Sequence, residues 1–136
     1  MSPRSAKGLL DTSTLIRLRE ITDPSLLPDE PLISAITLAE LSVGPLMAAD
    51  DERSARQMHL QQAESDFDPL PFDAAAARAF GRVAASLRRH GRKPAARSYD
   101  AMIAAVAIAN DLPLHTFNAT DFAGIDGLEL VAISRA

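Results

Sequence analysis

No cysteine occurs among the 136 residues, so disulfides, thiolate zinc sites and cysteine nucleophiles are excluded. The N-terminal stretch MSPRSAKGLLD lacks the long apolar region of a signal peptide, and Asp11 interrupts what apolar character it has. The alanine-rich run Ala101–Ala109 is far shorter than the ~20 residues needed to cross a bilayer. There is no glycine-rich phosphate loop and no Ser/His/Asp arrangement with a nucleophile elbow. His59, His90 and His115 show no metal-ligand spacing, and no repeat or low-complexity tract is present. Nor is there an excess of basic charge. The net charge of −4 argues mildly against nucleic-acid binding through bulk electrostatics. What remains is the expectation of a cytoplasmic protein of one domain over residues 1–136. Its composition, 47% hydrophobic and 24% charged, suits a chain that buries a real core.

Against that background four carboxylates stand out, because each lies alone in an apolar, otherwise uncharged stretch. Asp11 is isolated in GLLDTSTLI, Glu40 in PLISAITLAELSVGPLMAA, Asp100 in SYDAMIAAVAIAN and Asp121 in LPLHTFNATDFAGI. Burying an unpaired carboxylate is costly, and these stretches hold no lysine or arginine to pair it. Four such groups brought together would repel unless protonated or neutralised by a cation. A hard divalent ion with oxygen ligands meets that need, so an acidic metal site is expected.

The coarse element pattern supports convergence. Lys7–Asp11 reads as a strand and Thr12–Ile21 as a turn and helix. A proline loop over Thr22–Pro31 leads to a short strand at Leu32–Ser34. Ser34 is placed to cap a helix from Ile36 to Ala48, which Pro45 should kink or end near Gly44. Asp50–Asp66 reads as an exposed helix. Asp73 is placed to cap an amphipathic helix to His90, with Gly91 as its stop. Ser98 is placed to cap an all-round apolar, hence buried, helix through Asn110. Strands at Leu114–Phe117 and Leu128–Ile133 follow. Alternating strands and helices predict an α/β fold with a mainly parallel sheet.

Each acid also has an ordinary reading. Asp11 ends a strand at the carboxyl edge where ligands bind in open α/β sheets, but the same place suits a helix cap. Glu40 shares a helix face with Ile36, Val43 and Gly44, and Gly44 should leave room beside it; the alternative is an acid at the core rim. Asp100 sits in a first helical turn, where the dipole should keep it ionised, as it would any acid there. Asp121 follows Thr116, Asn118 and Thr120, and an Asx turn would explain it equally well. Arg88, Arg89, Arg92, Lys93 and Arg97 form a basic cluster before Asp100; it suits phosphate binding or a solvated helix end.

Taken in order and spacing, LLDTSTLI, ITLAELSVG and SYDAMIAAVAIANDLPLHTFNATDF resemble a PIN domain, and more narrowly the VapC toxins of VapBC toxin–antitoxin pairs. The resemblance runs from Gly8 to about Ile133. It implies a three-layer α/β/α sandwich and a Mg²⁺- or Mn²⁺-dependent endoribonuclease. On that resemblance the catalytic and metal-binding acidic quartet is Asp11, Glu40, Asp100 and Asp121, with Asp11 and Asp100 as direct ligands helped by Glu40 and Asp121. Thr12, Ser13 and Asn118 match polar residues that accompany it, and the basic cluster becomes a phosphate grip. Relatives often carry a basic residue between Thr116 and Asn118, where this chain has Phe117. The resemblance further implies a homodimer that joins a VapB-like antitoxin in a hetero-oligomer, with RNA as substrate. Asp50–Asp66 and the proline loop are alternative candidates for a partner surface, between which the sequence does not choose. Rival readings are a catalytically silent PIN-like binding module and an acidic phosphoryl-transfer enzyme. A haloacid-dehalogenase-like phosphatase would want an acid where Ser13 stands, and a receiver would want a lysine after Asp100.

Overall fold

The computed structural model describes residues 6–133. Four short strands, β1 (Lys7–Leu10), β2 (Glu30–Leu32), β3 (Leu114–Thr116) and β4 (Leu130–Ala132), form one sheet in the order β2-β1-β3-β4. All three pairings are parallel, with Leu9 opposite Leu32 on one side and Leu114 on the other. The helices are α1 (Thr12–Ile16), α2 (Ala35–Met47), α3 (Asp50–Asp66), α4 (Ala74–Arg89) and α5 (Ser98–Ala109).

Successive residues of a strand point to opposite faces, and β1 shows the consequence. Leu9 is buried in a core with α4 and α5, among Val83, Ile103, Val106 and Phe122. Leu10 is buried in a second core with Ile33, Leu41 and Ala63, against which Leu15 of α1 and Leu60 of α3 pack. Helices therefore cover both faces of a parallel sheet, which makes the three-layer α/β/α sandwich. The all-apolar character of α5 follows from its place: Ala101 and Ile103–Ala107 are all buried.

Several local expectations need correction. β1 stops at Leu10, so Asp11 starts the next helix instead of closing the strand. α1 ends at Ile16 and a separate 3-10 turn, Leu18–Glu20, follows. The second strand lies at Glu30–Leu32, two residues earlier than expected, and β4 is trimmed at both ends. Pro45 lies inside α2, and the helix runs two residues beyond it to Met47. One lost backbone bond in a last turn is tolerable when the proline itself is buried, as Pro45 is. Ser98 does not cap α5. It has helical backbone angles, its hydroxyl donates to the Ala95 carbonyl at 2.9 Å, and the chain enters from a 3-10 turn at Pro94–Arg97. Asp73 does cap α4, accepting from the Ala76 amide.

The strand order sets the site. From β1 the chain moves outward to β2, then crosses back to β3 on the other side of β1. The crevice beyond the carboxyl ends of β1 and β3 is thus the switch point where ligands bind in such sheets.

Candidate active site

Asp11 leaves the carboxyl end of β1 and is only 4% exposed. The capping reading holds, because its side chain accepts from the Thr14 amide at the start of α1. Its Oδ1 accepts from the Thr14 amide at 3.1 Å and from the Thr14 hydroxyl. Its Oδ2 accepts from Thr116 Oγ1 at 2.8 Å and Ser13 Oγ at 3.2 Å. Four donors satisfy the roughly four acceptor positions of a carboxylate, which offsets the cost of burying so polar a group. Thr116 belongs to β3, so this bond ties together the ends of the two central strands. Asn118 Nδ2 extends the network by donating to Ser13 Oγ at 3.1 Å. Thr14 and Thr116 were not singled out from sequence; as apolar-flanked threonines they carry no signal of their own.

Glu40 comes from α2 and receives the Thr12 hydroxyl at 2.6 Å. The buried stripe of α2 is Thr37, Leu41 and Pro45, whereas Val43 is exposed, so Glu40 lies at the rim of the core and not on its stripe. The space expected beside Gly44 is filled by Arg56 of α3, whose Cδ would stand 3.5 Å from a Cβ there. Burial raises the Glu40 carboxyl above its ordinary value, the Thr12 bond opposes that, and the Asp11 charge adds to it.

Asp100, in the first turn of α5, is pushed up to about 6 from an ordinary 3.8. Burial is the largest cause, followed by repulsion from Asp121, Glu40 and Asp11, with Arg97 opposing. The helix dipole was expected to favour the charged form; desolvation and three like charges outweigh it. Asp121 lies in a 3-10 turn, Ala119–Phe122, and meets Arg97 Nη1 at 3.0 Å. The same nitrogen stands 3.8 Å from Asp100 Oδ2.

The four acids are therefore brought into one electrostatic neighbourhood. Among the described residues, however, no three Asp, Glu or His side chains are grouped closely enough to hold a metal ion as they lie. Beside Asp100 and Asp121 opens a cavity of about 220 Å³ whose polar lining is Arg92, Lys93 and Arg97 with those two acids. The rest of the basic cluster is spent elsewhere or exposed. Arg89 pairs with Asp126 at 2.8 Å, and Arg88 is exposed on the last turn of α4. At Phe117 the charge arrives from another element, since the Arg17 guanidinium stands over its ring at 6.0 Å.

An α/β protein whose acidic residues, flanked by basic side chains, gather at the switch point of a parallel sheet is the class that this geometry defines. A PIN-domain family model matches residues 9–128. The chain is 39% identical over 138 residues to Ribonuclease VapC5 of Mycobacterium tuberculosis, covering 99% of each. It is 31% identical over 129 residues to Ribonuclease VapC4 of the same organism, covering 93% of this chain and 97% of that one. A crystal structure of a VapBC-family toxin–antitoxin system, VapBC-5 from M. tuberculosis, superposes with a TM-score of 0.75 at 38% identity. That match covers 94% of this chain and 99% of the other. The chain belongs to the PIN-domain family, in its VapC branch.

Proposed function

We propose that this chain is a single-domain, metal-dependent endoribonuclease and the toxin of a type II toxin–antitoxin pair. The observation that carries the reading is the convergence of Asp11, Glu40, Asp100 and Asp121, in which burial first and then repulsion from the other three acids push Asp100 up to about 6. Relatives named as ribonucleases, and a VapBC toxin–antitoxin structure of the same fold, support RNA as substrate and a VapB-like antitoxin as partner. A homodimer that assembles with the antitoxin in the cytoplasm completes the proposal.

The donor set fits Mg²⁺ or Mn²⁺: carboxylate oxygens, no nitrogen or sulfur ligand nearby, and repulsion that a cation would relieve. Magnesium keeps several waters and uses one or two carboxylates directly, so a site with no three acids in ligating distance remains suitable. Asp100 and Asp11 are the proposed direct ligands. For Asp11 the 3.2 Å bond from Ser13 is the weakest of its four and the one to yield. Held there, a divalent ion would supply charge neutralisation at a phosphate and a lowered pKa for bound water. Glu40, held by Thr12, would orient the attacking water or take its proton, and Asp121 would help to hold the ion. Lys93 and Arg97 line the cavity where flanking phosphates would lie, and Asn118 and Ser13 offer donors beside Asp11. The apolar groove between α1 and α3, with Leu15, Leu18, Met58 and Phe67 in its walls, is the proposed antitoxin seat.

A second reading, a silent PIN-like binding module, is favoured by Arg97, which already supplies a cation to Asp100 and Asp121. Cleavage of total RNA with Mn²⁺ or Mg²⁺ separates the two. Discrete cuts that vanish with EDTA and in Asp100→Asn are expected. A folded, metal-binding protein that cuts nothing would favour the binding module.

A further inference from the structure

Arg92 was expected to grip phosphate, but its guanidinium is directed elsewhere. Nη1 donates to the Thr120 carbonyl at 3.0 Å and to the Ala123 carbonyl at 2.8 Å. These carbonyls bracket Asp121, whose own amide is tied back to Asn118 O at 2.9 Å. The arginine stands on a rigid base. Gly91, with φ of 74°, donates its amide to Arg88 O at 3.0 Å, and the Arg92 amide bonds Leu87 O at 2.8 Å. That pair of bonds is the Schellman closure of a helix end, and Leu87 is part of the core.

The turn also lies close against this base. A Cβ at Gly124 would stand 3.1 Å from His90 Cβ and 3.5 Å from Arg92 Cδ. Beyond it, Asp126 is anchored by Arg89 at 2.8 Å, and its amide donates to Ser86 Oγ at 3.3 Å. The half-buried Arg92 thus acts on the acidic site through the backbone that carries Asp121, while the Asp121 carboxylate itself meets Arg97.

We propose that Arg92 is a positioning residue: it clamps the Thr120–Ala123 turn to the end of α4 and so sets where the Asp121 carboxylate stands in the metal site. The metal half of this statement rests on the function proposed above; the clamp does not. Two charge-assisted bonds from one nitrogen to carbonyls on either side of an acid constrain the turn more than either would alone. Groups that orient metal ligands from behind typically change metal affinity by about 10- to 100-fold when removed.

The test uses the purified full chain as wild type, Arg92→Gln, Arg92→Lys, Asp121→Asn and the Arg92→Gln/Asp121→Asn double variant. Amide hydrogen exchange without metal reads the clamp. Exchange across Asn118–Ala123 should quicken in Arg92→Gln, less so in Arg92→Lys, with the core of α5 unchanged. Calorimetric titration with Mn²⁺ reads the consequence. The dissociation constant should rise about tenfold in Arg92→Gln, and the double variant should bind no worse than Asp121→Asn alone, because coupled sites are not additive. Wild-type exchange in Arg92→Gln would overturn the clamp. Losses that add in the double variant, with a raised KM and weaker salt dependence of cleavage, would make Arg92 a phosphate contact instead. If the wild type binds no Mn²⁺, the metal reading fails and the exchange data still decide whether Arg92 holds the turn.

Discussion

Asp100 is a residue held against its own preference. Its carboxyl is pushed up to about 6 by burial and by three neighbouring acids, and Arg97 returns part of that. A raised acid pKa means that the folded state binds the proton more tightly than the unfolded state does. Its contribution to stability is therefore complete below the unfolded value, near 4, and is lost as pH rises through about 6. Asp100→Asn removes the penalty without changing shape. In metal-free protein at neutral pH it should stabilise the fold by ~1 kcal/mol, because solvent screening at this half-buried site and loss of the Arg97 contact discount what a shift of roughly two pKa units would give. Urea unfolding of both proteins across the acid range checks this. The advantage should shrink toward zero near pH 4, and a constant difference would show that the raised value is not real. Asp11 matters through its hydrogen bonds. With four donors converging on it, Asp11→Ala removes the cap of α1 and a hydrogen-bond acceptor of Thr14 and Thr116, so this change should destabilise the fold as well as the site.

At the scale of elements, the seam between β1 and β3 depends on a missing side chain. A Cβ on Gly8 would lie 2.5 Å from Nε2 and 2.6 Å from Cδ2 of His115, which is buried in the neighbouring strand. Gly8→Ala gains up to ~1 kcal/mol by restricting the unfolded chain, yet the overlap costs about 1–3 kcal/mol and occurs in mid-sheet. Net destabilisation is expected, relieved in part by His115→Ala in the same chain. Equal midpoints for wild type and Gly8→Ala in urea would count against that packing. This contact also shows what could be read from the sequence. Local patterns identified the parallel α/β alternation, the Ser34 and Asp73 caps and the buried α5, because caps and apolar spacing are properties of neighbouring residues. The Gly8–His115 fit, the Arg56 filling beside Gly44 and the turn clamped by Arg92 join residues far apart in the chain, where no spacing rule reaches. The acids were conspicuous because charge in an apolar stretch is rare. Thr14 and Thr116, which hold the most buried of them, were invisible because threonine on a strand or first turn is ordinary.

At the scale of the whole molecule, an acidic chain concentrates repulsion at one point of its sheet and tolerates it there. A cation that binds only the folded state converts that repulsion into stability. At 100 times its dissociation constant it contributes about 2.7 kcal/mol, and for a chain of this length the midpoint temperature rises on the order of 10 °C. On the proposed function, the same cation would compete with the proton on Asp100. Above about 6 that carboxyl is ionised and ready to ligate; below it each ion bound must displace a proton, so affinity falls. Thermal unfolding with and without Mn²⁺ should therefore show a large upward shift at about pH 7.5 and a small one at about pH 5. Asp100→Asn should lose most of the shift at the higher pH while its metal-free midpoint lies above that of the wild type. A shift of equal size at both pH values would place the ion away from Asp100. No shift at either would leave Arg97 as the only cation the acids require, which is the condition under which the binding-module reading prevails.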